Sequence, residues 1–198
     1  MRIVFATKNE GKVREVKEKL KEFDIEIVPI SAVKDVETPE ETGETFLENA
    51  YQKAVYYANA LKEPVIAEDS GLEVEVLNGS PGVYSSRFAG ENASDEENNQ
   101  KLVEELKKRG YSESPARYVS FIVLAFPEKM GLWSEGEVRG KVTTHPRGTG
   151  GFGYDPLFIP QGYEKTMAEL SLKEKNKISH RGKALEKLVK LLKEIKKW

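Results

Sequence analysis

Apolar runs alternate with helical periodicities from the first residues of this chain, and that alternation confines it to layered α/β architectures. Ile3 to Ala6 is an unbroken apolar run of strand length, and Val13, Val16, Leu20 and Phe23 follow at helical spacing. A loop from Thr7 to Gly11 therefore joins a strand to a helix, and Ile25 to Pro29 is a second strand. Beyond an acidic stretch from Val36 to Gly43, Phe46, Leu47, Ala50, Ala54, Tyr57, Ala58 and Leu61 mark an amphipathic helix. Pro64 to Ala67 returns to strand character, and Leu72 to Val76 predicts a further strand after the polar residues between them. Ser94 and Glu97 form a capping box ahead of Leu102, Val103 and Leu106, the signature of a third helix. Tyr118 to Phe126 and Trp133 to Val142, joined across Glu128 to Gly131, predict a long antiparallel ribbon. A closing helix carries Ala184, Leu185, Leu188, Leu191, Leu192 and Ile195 on one face and lysines on the other. At 198 residues the chain is long enough for one sizeable core, or for two lobes sharing a sheet, and is read as a single domain spanning 1–198.

Composition removes several functional classes. The 31 basic residues are interleaved with 33 acidic ones for a formal charge of -2, so no broad cationic surface is available to grip a nucleic-acid polymer. The apolar run that ends at Ala6 is far below the length of a signal core or a membrane span, and the chain reads as cytoplasmic, without a membrane partner. With no cysteine there is no thiol nucleophile, disulfide or thiolate zinc site, and two histidines, His145 and His180, are too few for a histidine-based metal cluster. Any metal must rest on carboxylates, which favours Mg²⁺, with Mn²⁺ as the other choice.

Chemistry concentrates in a few segments. Gly148 to Pro156 reads Gly-Thr-Gly-Gly-Phe-Gly-Tyr-Asp-Pro. Its glycines let backbone N–H groups approach a ligand, Phe152 and Tyr154 offer flat faces, and Asp155 offers an acceptor, a combination suited to a phosphorylated ligand that carries a ring. Taken alone the segment reads more readily as a tight turn between strands. Thr7-Lys8-Asn9-Glu10-Gly11-Lys12 lies where a strand meets a helix N-terminus, a place that favours an anion, with Lys8 and Lys12 adding charge. The Walker A spacing is absent, which removes the main support for a P-loop kinase or ATPase. In Ile66-Ala67-Glu68-Asp69-Ser70-Gly71 two acids close an apolar strand. Adjacent side chains alternate in direction, so Glu68 or Asp69, but not both equally, is placed to hold Mg²⁺ or to deprotonate water. Lys175 and Ser179-His180-Arg181-Gly182, at the entrance to the last helix, form a basic group, although Ser179 also suits a helix cap. Glu40, Glu41 and Lys53 remain ambiguous between a site and a solvated face.

Together these segments resemble the inosine triphosphate pyrophosphatase family, enzymes that hydrolyse non-standard purine nucleoside triphosphates to the monophosphate and pyrophosphate. The likeness covers nearly the whole chain and runs, in order, through Thr7 to Lys12, Thr45 to Ala50, Glu68 to Leu72, Pro81 to Arg87, Gly148 to Pro156 and Ser179 to Gly182. It implies an elongated, two-lobed α/β fold around a mixed, partly antiparallel sheet with flanking helices and a central substrate cleft, usually as a homodimer. It also implies roles: Thr7, Lys8, Asn9, Glu10, Gly11, Lys12 and Lys53 on the triphosphate, Ser70 near the phosphates, Asp69 as general base, and Asp69 with Glu40 on Mg²⁺. Phe152, Gly153, Tyr154, Asp155, Lys175, His180 and Arg181 would receive the base, with Phe152 stacking on it. One departure is Glu68, where bacterial members more often carry aspartate, which leaves the ligand set open between Glu68 and Asp69. The implied substrates are ITP, dITP and XTP, and a donor from Arg181 or Lys175 to the purine C6 oxo group would reject ATP. The alternatives are a related pyrophosphatase acting on dTTP and UTP, a nucleotide sensor without turnover, and an interaction protein.

Overall fold

The computed structural model describes residues 1–33 and 36–195, with the side chains of Glu22, Met130 and Ile195 outside the described set. Among the described residues, eleven strands and α-helices follow in chain order. They are β1 (Arg2–Phe5), α1 (Glu10–Leu20), β2 (Glu26–Pro29), α2 (Phe46–Leu61), β3 (Val65–Val74), α3 (Asp95–Lys108), β4 (Glu113–Phe126), β5 (Lys129–Thr143), β6 (Phe158–Pro160), α4 (Leu172–Ile178) and α5 (His180–Ile195). The strands form one six-stranded sheet in the order β2-β1-β3-β4-β5-β6. β1 is parallel to both β2 and β3, whereas β5 and β6 are antiparallel, so the sheet is mixed and the fold is α/β.

The chain divides into two compact units. The first comprises Met1–Asp69, Ser120–Gly136 and the segment from His180 onward; the second comprises Ser70–Val119 and Glu137–Ser179. In the first unit the side-chain alternation of the strands sorts two cores. Ile3 and Phe5 of β1, with Ile66, Ile122 and Leu124, meet Val16 and Leu20 of α1 and Leu185 and Leu188 of α5. The intervening residues Val4 and Ala6, with Val65, Ala67 and Val123, meet Ala50, Ala54, Tyr57 and Ala58 of α2. Strands covered on both faces lack polar alternation, which is why β1 reads as a solid apolar run. The three buried alanines of α2, Ala50, Ala54 and Ala58, let its axis lie close to the sheet. In the second unit Leu72, Val74, Tyr118, Val138, Val142 and Phe158 enclose Leu102 and Leu106 of α3 together with Tyr154 and Leu157. Each of these buried aliphatic side chains contributes roughly 1.5–3 kcal/mol of transfer free energy.

Two expectations change. β3 is one continuous strand, so Glu68, Asp69, Ser70 and Gly71 lie within it rather than at its end or in a turn. The side chains of Glu68, Asp69 and Ser70 are buried or half-buried, and tertiary partners satisfy the two carboxylates. A short helix, α4, precedes α5; it has only seven residues but carries a complete capping box between Ser171 and Glu174. Ser179 is the C-terminal cap of α4, and α5 begins at His180. The expected capping box of α3 is present, with Ser94 Oγ accepting from Glu97 N and Glu97 Oε2 accepting from Ser94 N. The ribbon of β4 and β5 is longer than the apolar runs, and its turn is reduced to Pro127 and Glu128, the latter at φ +57°.

Candidate active site

The strand-to-helix loop after β1 is organised by its own side chains. Thr7 Oγ1 accepts from the N–H of Asn9 at 3.2 Å, and Asn9 Oδ1 caps α1 by accepting from Lys12 N at 3.1 Å. Glu10 and Gly11 open the helix, where N–H groups have no intrahelical acceptor. Lys8, Asn9 and Glu10 are exposed, while Thr7, Gly11 and Lys12 are half-buried. Lys12 Nζ reaches 2.9 Å from Glu68 Oε2.

Glu68 and Asp69, adjacent in β3, project to opposite faces of the sheet. Glu68 shares the side of Ile66, facing α1 and α5, and is fully enclosed by partners. Its Oε1 accepts from Ser120 Oγ at 2.9 Å and from Arg181 Nε at 3.0 Å, with Arg181 Nη2 at 2.9 Å. Arg181, 2% exposed in the first turn of α5, also pairs with Glu15 of α1. Burial alone would raise the Glu68 carboxyl, but the charges of Arg181 and Lys12 overcome it and hold the group well below the ordinary carboxylate range. The same two carboxylates hold the Arg181 guanidinium firmly protonated against its own burial. His180, buried at the start of α5, adds to the positive field on Glu68.

Asp69 shares the side of Ala67, facing α2. Its Oδ2 accepts from Asn49 Nδ2 at 3.1 Å, and one turn further along the same helix face Lys53 pairs with Glu41. Burial pushes the Asp69 carboxyl up from 3.8 to about 6; Lys53 and Lys12 pull it down, and Glu41 pushes it up again. Glu40, expected on a metal with Asp69, is exposed, and it is Glu41 that lies in the field of Asp69. Among the described residues no three acids or histidines gather in a cluster able to hold a metal by themselves.

The second unit carries the ring-bearing loop. Asp155 Oδ2 accepts from the N–H of Phe152 at 3.0 Å and from Lys175 Nζ of α4 at 2.5 Å, and Lys175 Nζ stands 4.5 Å from the centroid of the Phe152 ring. Gly151, at φ +71°, closes this turn; a Cβ there would strike the Asp155 carboxylate. The Tyr154 hydroxyl donates to Ser85 O at 2.7 Å, and burial, with the charge of Asp95 behind it, pushes its phenol pKa up, so it remains a donor. Tyr154 is therefore a buried prop of the loop. Gly153 takes φ +60°, its N–H donating to Asp95 Oδ2 at 2.7 Å and its carbonyl accepting from Asn99 Nδ2 at 2.8 Å. Ser70, half-buried in β3, begins this unit.

Sequence reasoning missed Glu15, Ser120, Asp95 and Asn99 as participants. Only Glu15 had a local signal, a charge beside Val16 one helical turn from Lys12. The others are recognisable only through partners distant in the chain.

These features define a class: an α/β protein with an anion-favouring strand-to-helix loop, a buried carboxylate beside two lysines, and a glycine loop that presents an aromatic ring under an ammonium group. The chain belongs to the Ham1 family, whose model matches residues 3–191. It is 50% identical to the dITP/XTP pyrophosphatase of Aquifex aeolicus, with 100% of this chain and 99% of that protein covered. It resembles the solved Ham1 protein of Staphylococcus aureus at 42% identity, a TM-score of 0.83 and 98% coverage of both chains. It also resembles a HAM1 protein from Coxiella burnetii at 42% identity, with a TM-score of 0.85 and coverage of 98% and 99%.

Proposed function

We propose that this chain hydrolyses ITP, dITP and XTP to the nucleoside monophosphate and pyrophosphate, clearing deaminated purines from the nucleotide pool. The observation that carries the reading is Asp69, a buried carboxylate pushed up to about 6 yet flanked by Lys12 and Lys53. Such a group is ionised at neutral pH and basic enough to take a proton from water. Asn49 orients it through Oδ2. Attack of that water on the α-phosphorus, with Asp69 taking its proton, releases pyrophosphate. Lys12, Lys53, Lys8 and the opening N–H groups of α1 would balance the charge of the polyphosphate, with Thr7, Asn9, Glu10, Gly11 and Ser70 shaping its seat.

A divalent cation fits the residues present. Asp69 lies within the field of Glu41, so two carboxylates offer oxygen donors there, while Lys53 pairs with Glu41 and acts on Asp69 as well. A site with so few acids suits Mg²⁺, which keeps water and substrate phosphates as its remaining ligands. Asp69 and Glu40 are the proposed ligands, with Glu41 and Lys53 beside them, and the ion when bound would draw charge from the phosphate oxygens. The planar base would stack on Phe152, with Asp155, Tyr154 and Gly153 holding the loop and Lys175 over the ring. Arg181 is committed to Glu15 and Glu68, so in this reading it and His180 support the base through the buried cluster, while Lys175 supplies a donor toward a C6 oxo group. The cytoplasm, where such triphosphates arise, and a homodimer complete the reading, as the resemblance implies. In this reading residues 1–198 form a single domain of two lobes.

The test is pyrophosphate release from ITP, XTP, dITP, ATP, GTP and dTTP with Mg²⁺, run beside Asp69→Asn. Fast cleavage of the deaminated purines, slow cleavage of the rest and loss of activity in the variant are expected. Preference for dTTP, or binding of ITP without turnover, would overturn the reading.

A further inference from the structure

The peptide of Gly153 is held on both edges by one helix. Asp95 opens α3 and Asn99 lies four residues later, so both occupy one face of the helix. Asp95 Oδ2 takes the Gly153 N–H at 2.7 Å, and Asn99 Nδ2 donates to the Gly153 carbonyl at 2.8 Å. The same Asn99 amide also donates to the carbonyl of Asp95 at 2.8 Å, which pins the side chain to its own helix. Two carbonyl acceptors face one NH₂ group, so the amide cannot flip without setting oxygen against oxygen. Gly153 is the residue between Phe152 and Tyr154, and its φ of +60° turns both of its polar groups toward α3.

We infer that Asp95 and Asn99 are positioning residues for base recognition: by clamping the Gly153 peptide they fix the Phe152 ring under Lys175. The inference rests on the reading of Phe152 as the stacking surface. Without the clamp, the anchors that remain lie on the flanks of Gly153, where Asp155 accepts from Phe152 N and donates its own N–H to Phe152 O, and Tyr154 is tied to Ser85 O. A freely turning Gly153 lets the ring leave its stacking position, and part of the substrate's binding energy is then spent on ordering the loop. Asp69 and the lysines around it belong to the other unit and are untouched by the change.

The clamp therefore acts on KM and on base selectivity, and not on the chemical step. Asn99→Ala and Asp95→Ala are each expected to raise KM for ITP about fivefold, the effect of one net hydrogen bond, with kcat changed less than twofold. The ratio of kcat/KM for ITP over ATP should fall, and Asp95→Asn should rescue the Asp95 effect in part because its amide oxygen still accepts. Hydrogen exchange of the Phe152 to Tyr154 amides should accelerate in both alanine variants. Gln100→Ala on the same helix, where the exposed Gln100 side chain donates to the exposed Glu104, is the control and should match the parent protein. Loss of kcat with unchanged KM, or unchanged exchange in the loop, overturns the inference. If the parent protein cleaves no deaminated purine triphosphate, the proposed function fails and the recognition role falls with it. Exchange at Gly153 then still shows separately whether α3 holds the loop.

Discussion

Replacing Asp69 with asparagine should abolish turnover and at the same time stabilise the protein, by an amount set by its burial. The carboxyl is pushed up from 3.8 to about 6, a distance that corresponds to about 3 kcal/mol. Its sign follows from proton linkage. Folded Asp69 binds its proton more tightly than the unfolded chain does, so protonation favours folding. The stability of the parent protein then falls as pH rises from about 3.8 to about 6 and is level above that, as far as this group is concerned. Asparagine never ionises, yet its amide oxygen can still accept from Asn49. At pH 7.5 the variant should therefore be more stable by up to about 3 kcal/mol, and at pH 3.5 the two proteins should coincide. For a chain of this size that gap is roughly 6–12 °C in Tm. Urea unfolding of both proteins in EDTA across pH 3.5 to 7.5 measures it, with other titrating groups cancelling in the difference. A variant less stable than the parent at pH 7.5, or a gap that does not change with pH, would refute the assignment of Asp69 as a desolvated carboxylate.

Lys53→Met should move the acid limb of the kcat/KM profile to higher pH, because Lys53 pulls the Asp69 carboxyl down, and Glu41→Gln should move it the other way. Pulling both limbs in one direction would mean that these charges do not act on Asp69. Arg181→Met removes the buried guanidinium that Glu15 and Glu68 share, leaving Glu68 with Lys12, and should cost about 3–5 kcal/mol in urea unfolding. Adding Glu15→Gln and Glu68→Gln should restore most of that loss; no recovery would argue against the cluster. Gly151→Ala forces a side chain at φ +71° into the Asp155 carboxylate and should cost about 1–3 kcal/mol together with ITP affinity. Gly162→Ala, at φ +83° but with open space around it, should keep affinity, and equal losses in both would remove the role of the Asp155 contact.

The parts of the fold that were legible are those whose signal is local. The apolar run of β1, the strand-to-helix loop after it and the capping box of α3 all declare themselves within a few residues. β3 did not, because Glu68, Asp69 and Ser70 have poor strand propensity and interrupt the apolar pattern. They remain in the strand because Arg181, 113 residues away, and Asn49, 20 residues away, satisfy their carboxylates. α4 was missed because a seven-residue helix offers too few turns to establish a period. In the site, the glycine loop was recognisable from composition. Its attachment to Asp95 and Asn99 was not, since hydrogen bonds to a peptide group leave no mark on the identity of the residue that receives them.

The proposed choice of Asp69 over Glu68 as base rests on an asymmetry that no local pattern expresses. A strand turns consecutive side chains to opposite faces, so residues 68 and 69 are exposed to different helices. On one face α1 and α5 bring Lys12, Arg181 and His180, which keep Glu68 ionised and make it the anchor of a buried ion cluster. On the other face α2 brings Asn49 and Lys53 with Glu41, a nearly balanced pair that leaves burial in control of Asp69. The two pKa values are thereby driven apart in opposite directions, the arrangement that separates a structural carboxylate from a reactive one. Exchanging the two side chain lengths, as in a Glu68→Asp and Asp69→Glu double variant, would disturb both faces at once. The shorter acid at 68 would withdraw from Arg181, and the longer acid at 69 would carry its charge past Asn49 toward Lys53. Glu68→Asp alone should keep the pH profile of Asp69 while lowering stability, because only the face opposite the proposed base has been changed.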